Sequence, residues 1–214
     1  MALLALLLGC PDPVVALWSD GPPPEVGTAS PQTPNILLVS LDTVRADRTS
    51  VYGHSRDTTP MLARYAEQGA VFEHAYAQAP STSPTHASMF TGLYPSTHGY
   101  YTYKFKLASK HHTLAEVLNG AGYRTFAVTS SVKFVEKTGL RQGFDDLVRI
   151  GGPKNVRSAQ VNEKTIHQMK RESDQPFFGF VHYFDPHAPY AAPEPYRTQW
   201  HPGLSFPEPE WTSR

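Results

Sequence analysis

Short apolar runs and amphipathic stretches alternate along this chain. Residues 35–41, Asn-Ile-Leu-Leu-Val-Ser-Leu, form a largely apolar run that stops at Asp42. Such a run reads as a strand buried on both faces, as in a parallel sheet. Residues 59–69 have helical spacing: Thr59 can cap, Pro60 suits the first turn, and Leu62, Tyr65 and Ala66 share a face. Residues 71–75 read as a short strand. Ser83-Pro84 opens a second helix, with Ser83 as its N-cap, that runs to Thr91 before Gly92 ends it. A third helix spans 113–119 and is stopped by Gly120 and Gly122. A strand follows at 123–129, a helix at 160–171, and another buried strand at 176–183. Strands alternating with helices predict an α/β fold, a mostly parallel sheet flanked by helices on both faces. Ligands of such sheets bind at the carboxyl ends of the strands. Asp42 lies at one such end, and the segment from His182 to His187 at another.

The two ends depart from this pattern. Ala2 to Leu8 is an apolar run closed by Gly9 and Cys10, the shape of a secretory leader. Leu7-Leu8-Gly9-Cys10 looks like a bacterial lipobox. Residues 1–10 are therefore expected to be a signal peptide, with a lipidated Cys10 tying an exported protein to the periplasmic face of the cell envelope. No Lys or Arg precedes the run, which fits a start codon set too late; the alternative is a buried N-terminal strand or helix. Residues 11–34 carry seven of the 20 prolines, so 11–33 is expected to be a stiff linker. Seven more prolines fall between Pro186 and Arg214.

Composition narrows the function. With 19 basic and 19 acidic residues among 214, the chain has no net charge, and nucleic acid is not an expected partner. A single cysteine excludes an internal disulfide. No apolar run approaches the ~20 residues that span a bilayer.

Three segments then become specific. They are Pro34–Asp42 with Tyr52-Gly53 following; Thr82-Ser-Pro-Thr-His86 running on to Thr91-Gly-Leu-Tyr-Pro95; and Phe177 to Tyr190, which contains Phe184-Asp-Pro-His187. With Thr113–Glu116, Gly122–Thr125 and Gly143-Phe-Asp145, this ordered set resembles the sulfatase family of the alkaline-phosphatase superfamily. The resemblance covers roughly residues 34–196. It implies an alkaline-phosphatase-like sandwich, with 34–214 as an N-terminal catalytic region, and a metal-dependent hydrolase of sulfate or phosphate esters. The implied partner is an anionic ester substrate.

Asp42 is the expected metal ligand, because a carboxylate at a strand end suits a hard divalent cation such as Ca, Mn, Mg or Zn. Family members usually carry a second Asp next, where this chain has Thr43. Asp47 is a candidate to take its place but reads as a solvated surface residue. Thr82 falls at the nucleophile position, and the resemblance makes it the catalytic hydroxyl and a second metal ligand. In sulfatases that residue is a cysteine or serine converted to formylglycine within Cys-x-Pro-x-Arg. Threonine is not known as a substrate for the conversion, so no formylglycine is expected. A hydroxyl held by a divalent cation can attack directly, and superfamily members that transfer phosphoglycerol or phosphoethanolamine use threonine in this way.

His86 replaces the signature arginine and is expected to hold the nucleophile or a substrate oxygen; His187 is expected at the leaving group. His182 reads as packed, His98 as a loop residue, and His111 and His112 as solvated. The Lys and His that usually follow the third strand are missing from Thr129-Ser-Ser-Val132, with only Lys133 nearby. These departures favour phosphoester hydrolysis or transfer. No Asp-His or Asp-Asn pair occurs in the chain, so half a metal site is expected, with a separately encoded C-terminal half as one candidate partner and an inactive fragment as one outcome. The contrasting expectation is a non-catalytic lipoprotein that uses the same fold for binding.

Overall fold

The computed structural model describes residues 3–4, 27–102, 104–131, 136–151, 158–171, 174–188, 190 and 192–200. Cys10, most of the proline-rich segment and Lys133 lie outside the described residues. A five-stranded sheet organises the rest: β1 (Leu3–Leu4), β2 (Ile36–Leu41), β3 (Arg124–Thr129), β4 (Asp146–Arg149) and β5 (Phe177–Tyr183), in the order β1-β2-β5-β3-β4. All pairings are parallel except the antiparallel edge of β1 on β2. The helices are α1 (Pro60–Ala66), α2 (Thr82–Thr91), α3 (Pro95–His98), α4 (Leu114–Gly120) and α5 (Ser158–Met169).

The mostly parallel α/β architecture is the one expected, and strand alternation explains its layers. In β5, Phe178 and Phe180 face a core formed with Ala87 and Phe90 of α2, Ala115 of α4, and Phe144. Phe177 and Val181 face the opposite core with Phe126, Val128 and Val161 of α5. Successive side chains of a strand alternate faces, so a strand covered on both sides is apolar throughout. By the same count His182 belongs to the α2 face. Gly179 sits opposite Phe126, whose ring would lie 2.4 Å from any Cβ placed there.

Four expectations need correction. Residues 71–75 form no strand. Val71 and Phe72 are exposed, and the Phe72 carbonyl accepts from the Tyr52 hydroxyl rather than from a neighbouring strand. Helix α2 starts two residues earlier than its sequence suggests, with Ser81, not Ser83, as N-cap (φ −142°, ψ 153°); Thr82 is thereby placed in the first turn. Residues 27–33, assigned to the linker, lie on the domain, where the Ala29 N–H donates to the Ala121 carbonyl at 2.6 Å. Finally, His98 and His111 are buried, 3% and 2% exposed. His98 is neither a loop bystander nor solvated: its Nδ1 accepts from the Tyr100 N–H, and its Nε2 bonds Ser88 Oγ on α2 at 3.0 Å.

Candidate active site

The parallel strands end together, and their carboxyl ends present the candidate site. Asp42 follows β2 directly, and its N–H donates to the Tyr183 carbonyl, which extends the ladder one residue past the strand. Its side chain is almost fully buried, 2% exposed. Across from it, Thr82 Oγ1 donates to Asp42 Oδ2 at 3.2 Å. The two residues, forty positions apart in sequence, share one cleft of about 900 Å³ whose lining includes Thr43, Ser81, Ser83 and His187.

Helix α2 supplies more than the threonine. Its N-terminus opens on the cleft, and the N–H groups of Thr82 and Ser83 have no acceptor within the helix, while Pro84 has no N–H. They and the helix dipole favour an anion there. Asp42 is ionised at neutral pH. Burial alone would raise its carboxyl, but the His182 imidazole against Oδ2, with smaller electrostatic contributions from His86 and His187, outweighs this and holds it below its ordinary value.

His86 is placed below the nucleophile rather than beside it. It is fully buried and is not among the residues lining the cleft. Its Nδ1 donates to the Thr82 carbonyl at 2.6 Å, and its Nε2 takes the Ser40 hydroxyl at 3.1 Å. These bonds fix the neutral tautomer with the proton on Nδ1. The expected contact of His86 with the nucleophile hydroxyl or substrate is thus replaced by a hold on the backbone of Thr82. Burial, with His182 adding to it, pushes the His86 pKa down to about 4.

That shift sets the acid limit of the fold. The unfolded histidine titrates near ~6.5, so stability is full above that pH. It falls as pH drops from 6.5 towards 4, because only the unfolded chain then takes the proton. The loss expected from His86 is about 3 kcal/mol, and buried His98, also lowered by burial, acts in the same direction. Urea denaturation at pH 7.5 and 4.5 checks this: His86→Gln should flatten the dependence, and an unchanged slope would assign it elsewhere.

His187 also lines the cleft. Its ring stacks on Phe184 with centroids 4.2 Å apart, and its Nδ1 donates to the Ala188 carbonyl at 2.7 Å. That bond engages Nδ1 and leaves Nε2 for another partner. Asp47 plays no part, since it pairs with Arg45 at 2.7 Å on the surface. Thr43, by contrast, has a place that its identity did not reveal. It adopts φ 58°, unusual for a β-branched residue, and its hydroxyl donates to the Pro186 carbonyl at 3.0 Å. One bond thus ties the Asp42 turn to the His187 loop. His182 is the second residue missed; it abuts Asp42 from the buried side.

The donor set is that of a hard cation: an ionised carboxylate and a hydroxyl meeting at a strand end. It fits such an ion in kind. In number it is short of the ~6–8 oxygens these ions take, and among the described residues no group of three or more His, Cys, Asp or Glu converges on one point.

A family model described as Sulfatase matches residues 34–202. N-acetylgalactosamine-6-sulfatase of Sus scrofa is 36% identical over 109 residues, covering 45% of this chain and 21% of that protein. A structure solved in complex with its substrate D-glucosamine-2-N,6-O-disulfate superposes with a TM-score of 0.65 at 22% identity, over 72% of this chain and 35% of the other. Phosphonate monoester hydrolase of Agrobacterium radiobacter gives 0.61 at 20% identity, over 77% and 43%. The chain spans about a fifth of the length of the curated sulfatase it matches.

Proposed function

Because the chain belongs to the sulfatase family, we propose that it carries the nucleophile half of a metal-dependent ester hydrolase, with Thr82 as an unmodified catalytic hydroxyl. The observation that carries this reading is the 3.2 Å hydrogen bond from Thr82 Oγ1 to Asp42 Oδ2 at the mouth of α2. Asp42 and Thr82 would hold the cation, which when bound supplies Lewis-acid stabilisation to the ester oxygens and acidifies a nearby hydroxyl.

This chain's own residues do the rest. Asp42 Oδ2 accepts the hydrogen bond of the Thr82 hydroxyl and so turns its lone pairs to the substrate. His86 pins the Thr82 backbone through its carbonyl, and the first-turn amides of α2 face the anionic oxygens of the ester. His187, which lines the same cleft, contacts the leaving group. An unmodified threonine favours phosphoester hydrolysis or transfer, while the curated relative supports sulfate esters as the second substrate class. Export and lipid anchoring at Cys10 are part of the proposal and rest on the Ala2–Cys10 pattern; the pairing of Leu3 and Leu4 with Ser40 and Val39 is what the alternative, an N-terminal strand on the domain, expects instead.

The non-catalytic reading draws on one observation, the two-oxygen donor set among the described residues. A chelation assay separates the two. In the longest natural polypeptide that contains residues 34–202, turnover of bis(p-nitrophenyl) phosphate or p-nitrophenyl sulfate should vanish with EDTA and return with Mn²⁺ or Ca²⁺. Turnover indifferent to EDTA would remove the metal from the account, and no turnover of either ester with any cation would favour the binding module.

A further inference from the structure

The buried side of Asp42 is occupied by a histidine that packing alone does not call for. His182 is 1% exposed and lies in a strand whose other buried members, Phe177 to Val181, are apolar or glycine. Its ring is walled by His86 (5.1 Å between centroids), Phe184 (6.3 Å) and Phe180 (6.4 Å). Neither ring nitrogen makes an aligned hydrogen bond to another described residue. Yet Nε2 stands 3.3 Å from Asp42 Oδ2, the same oxygen that accepts from Thr82. An imidazole buried with so little hydrogen bonding is costly, and a leucine would fill the space without that penalty.

We propose that His182 is a positioning residue: it braces Oδ2 of Asp42 from the core, opposite Thr82, and so holds the carboxylate in one rotamer with Oδ1 left for a ligand. This rests on the reading of Asp42 as the cation ligand, and it extends that reading inward by one residue. The strand register makes the brace rigid, because Ser40 of β2 and Thr129 of β3 pair with His182 on either side. Its backbone is held as well, since the Ser130 hydroxyl donates to the His182 carbonyl at 3.1 Å.

Three variants test it in the 214-residue chain. His182→Leu keeps volume and loses the nitrogen. His182→Gln keeps an N–H donor at a reach similar to Nε2, whereas His182→Asn is polar but too short. The metal-free readout is the Asp42 Hα–Hβ coupling pattern by NMR. One dominant χ1 rotamer is expected in the wild type and His182→Gln, and rotamer averaging in His182→Leu and His182→Asn. A single unchanged rotamer in both short-reach variants would overturn the brace. Should the leucine variant fail to fold, the glutamine and asparagine pair decides alone.

The second readout is Mn²⁺ binding, followed by paramagnetic broadening of signals near the site. Loss of the brace should weaken it ~10–100-fold, as for groups that orient metal ligands, with His182→Gln near the wild type. Asp42→Asn keeps the two claims apart. If Asp42→Asn binds Mn²⁺ like the wild type, the cation reading fails while the rotamer result still judges His182. If Asp42→Asn abolishes binding and His182→Leu does not weaken it, only the brace is wrong.

Discussion

Thr82→Ala is expected to lower metal-dependent ester hydrolysis by at least about 10³-fold, the scale on which removal of a nucleophile acts in enzymes whose groups work as a unit. The variant deletes the one oxygen that both faces the cleft and bonds Asp42 Oδ2. It leaves the backbone in place, because His86 grips the Thr82 carbonyl rather than its side chain. The stability change should therefore be confined to that hydrogen bond, about 1.5–3 kcal/mol because its acceptor is an ionised carboxylate. Thr82→Ser keeps the hydroxyl and should retain most of the rate. Steady-state kinetics on purified variants check both. If Thr82→Ala turned over like the wild type, another residue would be the nucleophile, or the reaction would proceed by direct attack of water.

Gly143→Ala should be the most damaging small substitution in the fold. Gly143 has φ +81°, and a Cβ there would come within 2.1 Å of Glu116 N and 2.4 Å of the Ala115 carbonyl carbon. Those atoms are backbone, in the first turn of α4, and they cannot swing aside. The same turn carries a capping box: the Glu116 N–H donates to Thr113 Oγ1 at 3.1 Å and the Thr113 N–H to Glu116 Oε2 at 2.9 Å. The Thr113 hydroxyl also donates to the Gln142 carbonyl, tying the glycine's own loop to the cap. An alanine must therefore break the cap or lift the loop, and it adds left-handed strain of ~1–2 kcal/mol. Overpacking against fixed backbone adds ~1–3 kcal/mol or more. A total of about 4 kcal/mol is a large part of the ~5–15 kcal/mol that holds such domains. Urea denaturation should show the unfolding midpoint lowered by the equivalent of about 4 kcal/mol; a midpoint within measurement error of the wild type would mean that the loop yields freely.

The sheet centre was legible because its strands are largely apolar, with Ser40 the polar exception in β2 and His182 in β5: both strands differ from the expected spans by a residue. β4 was not legible. Asp146-Leu-Val-Arg149 has only two apolar residues between charged ones, and it is a strand because β3 offers Phe126 to Thr129 as an edge. Residues 71–75 failed for the converse reason, since strand-like residues with no edge beside them stay irregular and exposed. At the site, the meeting of Asp42 and Thr82 followed from the resemblance, and the coordinates bring them into contact. What sequence could not supply was orientation. His86 was read as facing the nucleophile when its ring turns into the core, and His182 was read as mere packing. A count by two along β5 places His182 on the face of Phe178 and Phe180, but only the packing of α2 on that face shows that Asp42 is there to be braced.

The convergence of Asp42 and Thr82 on a single ion is most directly tested by anomalous diffraction from crystals soaked in Mn²⁺. The account predicts one anomalous peak in the cleft, within ~2–2.6 Å of both an Asp42 carboxylate oxygen and Thr82 Oγ1. A peak bound elsewhere, with neither residue as a ligand, would contradict it.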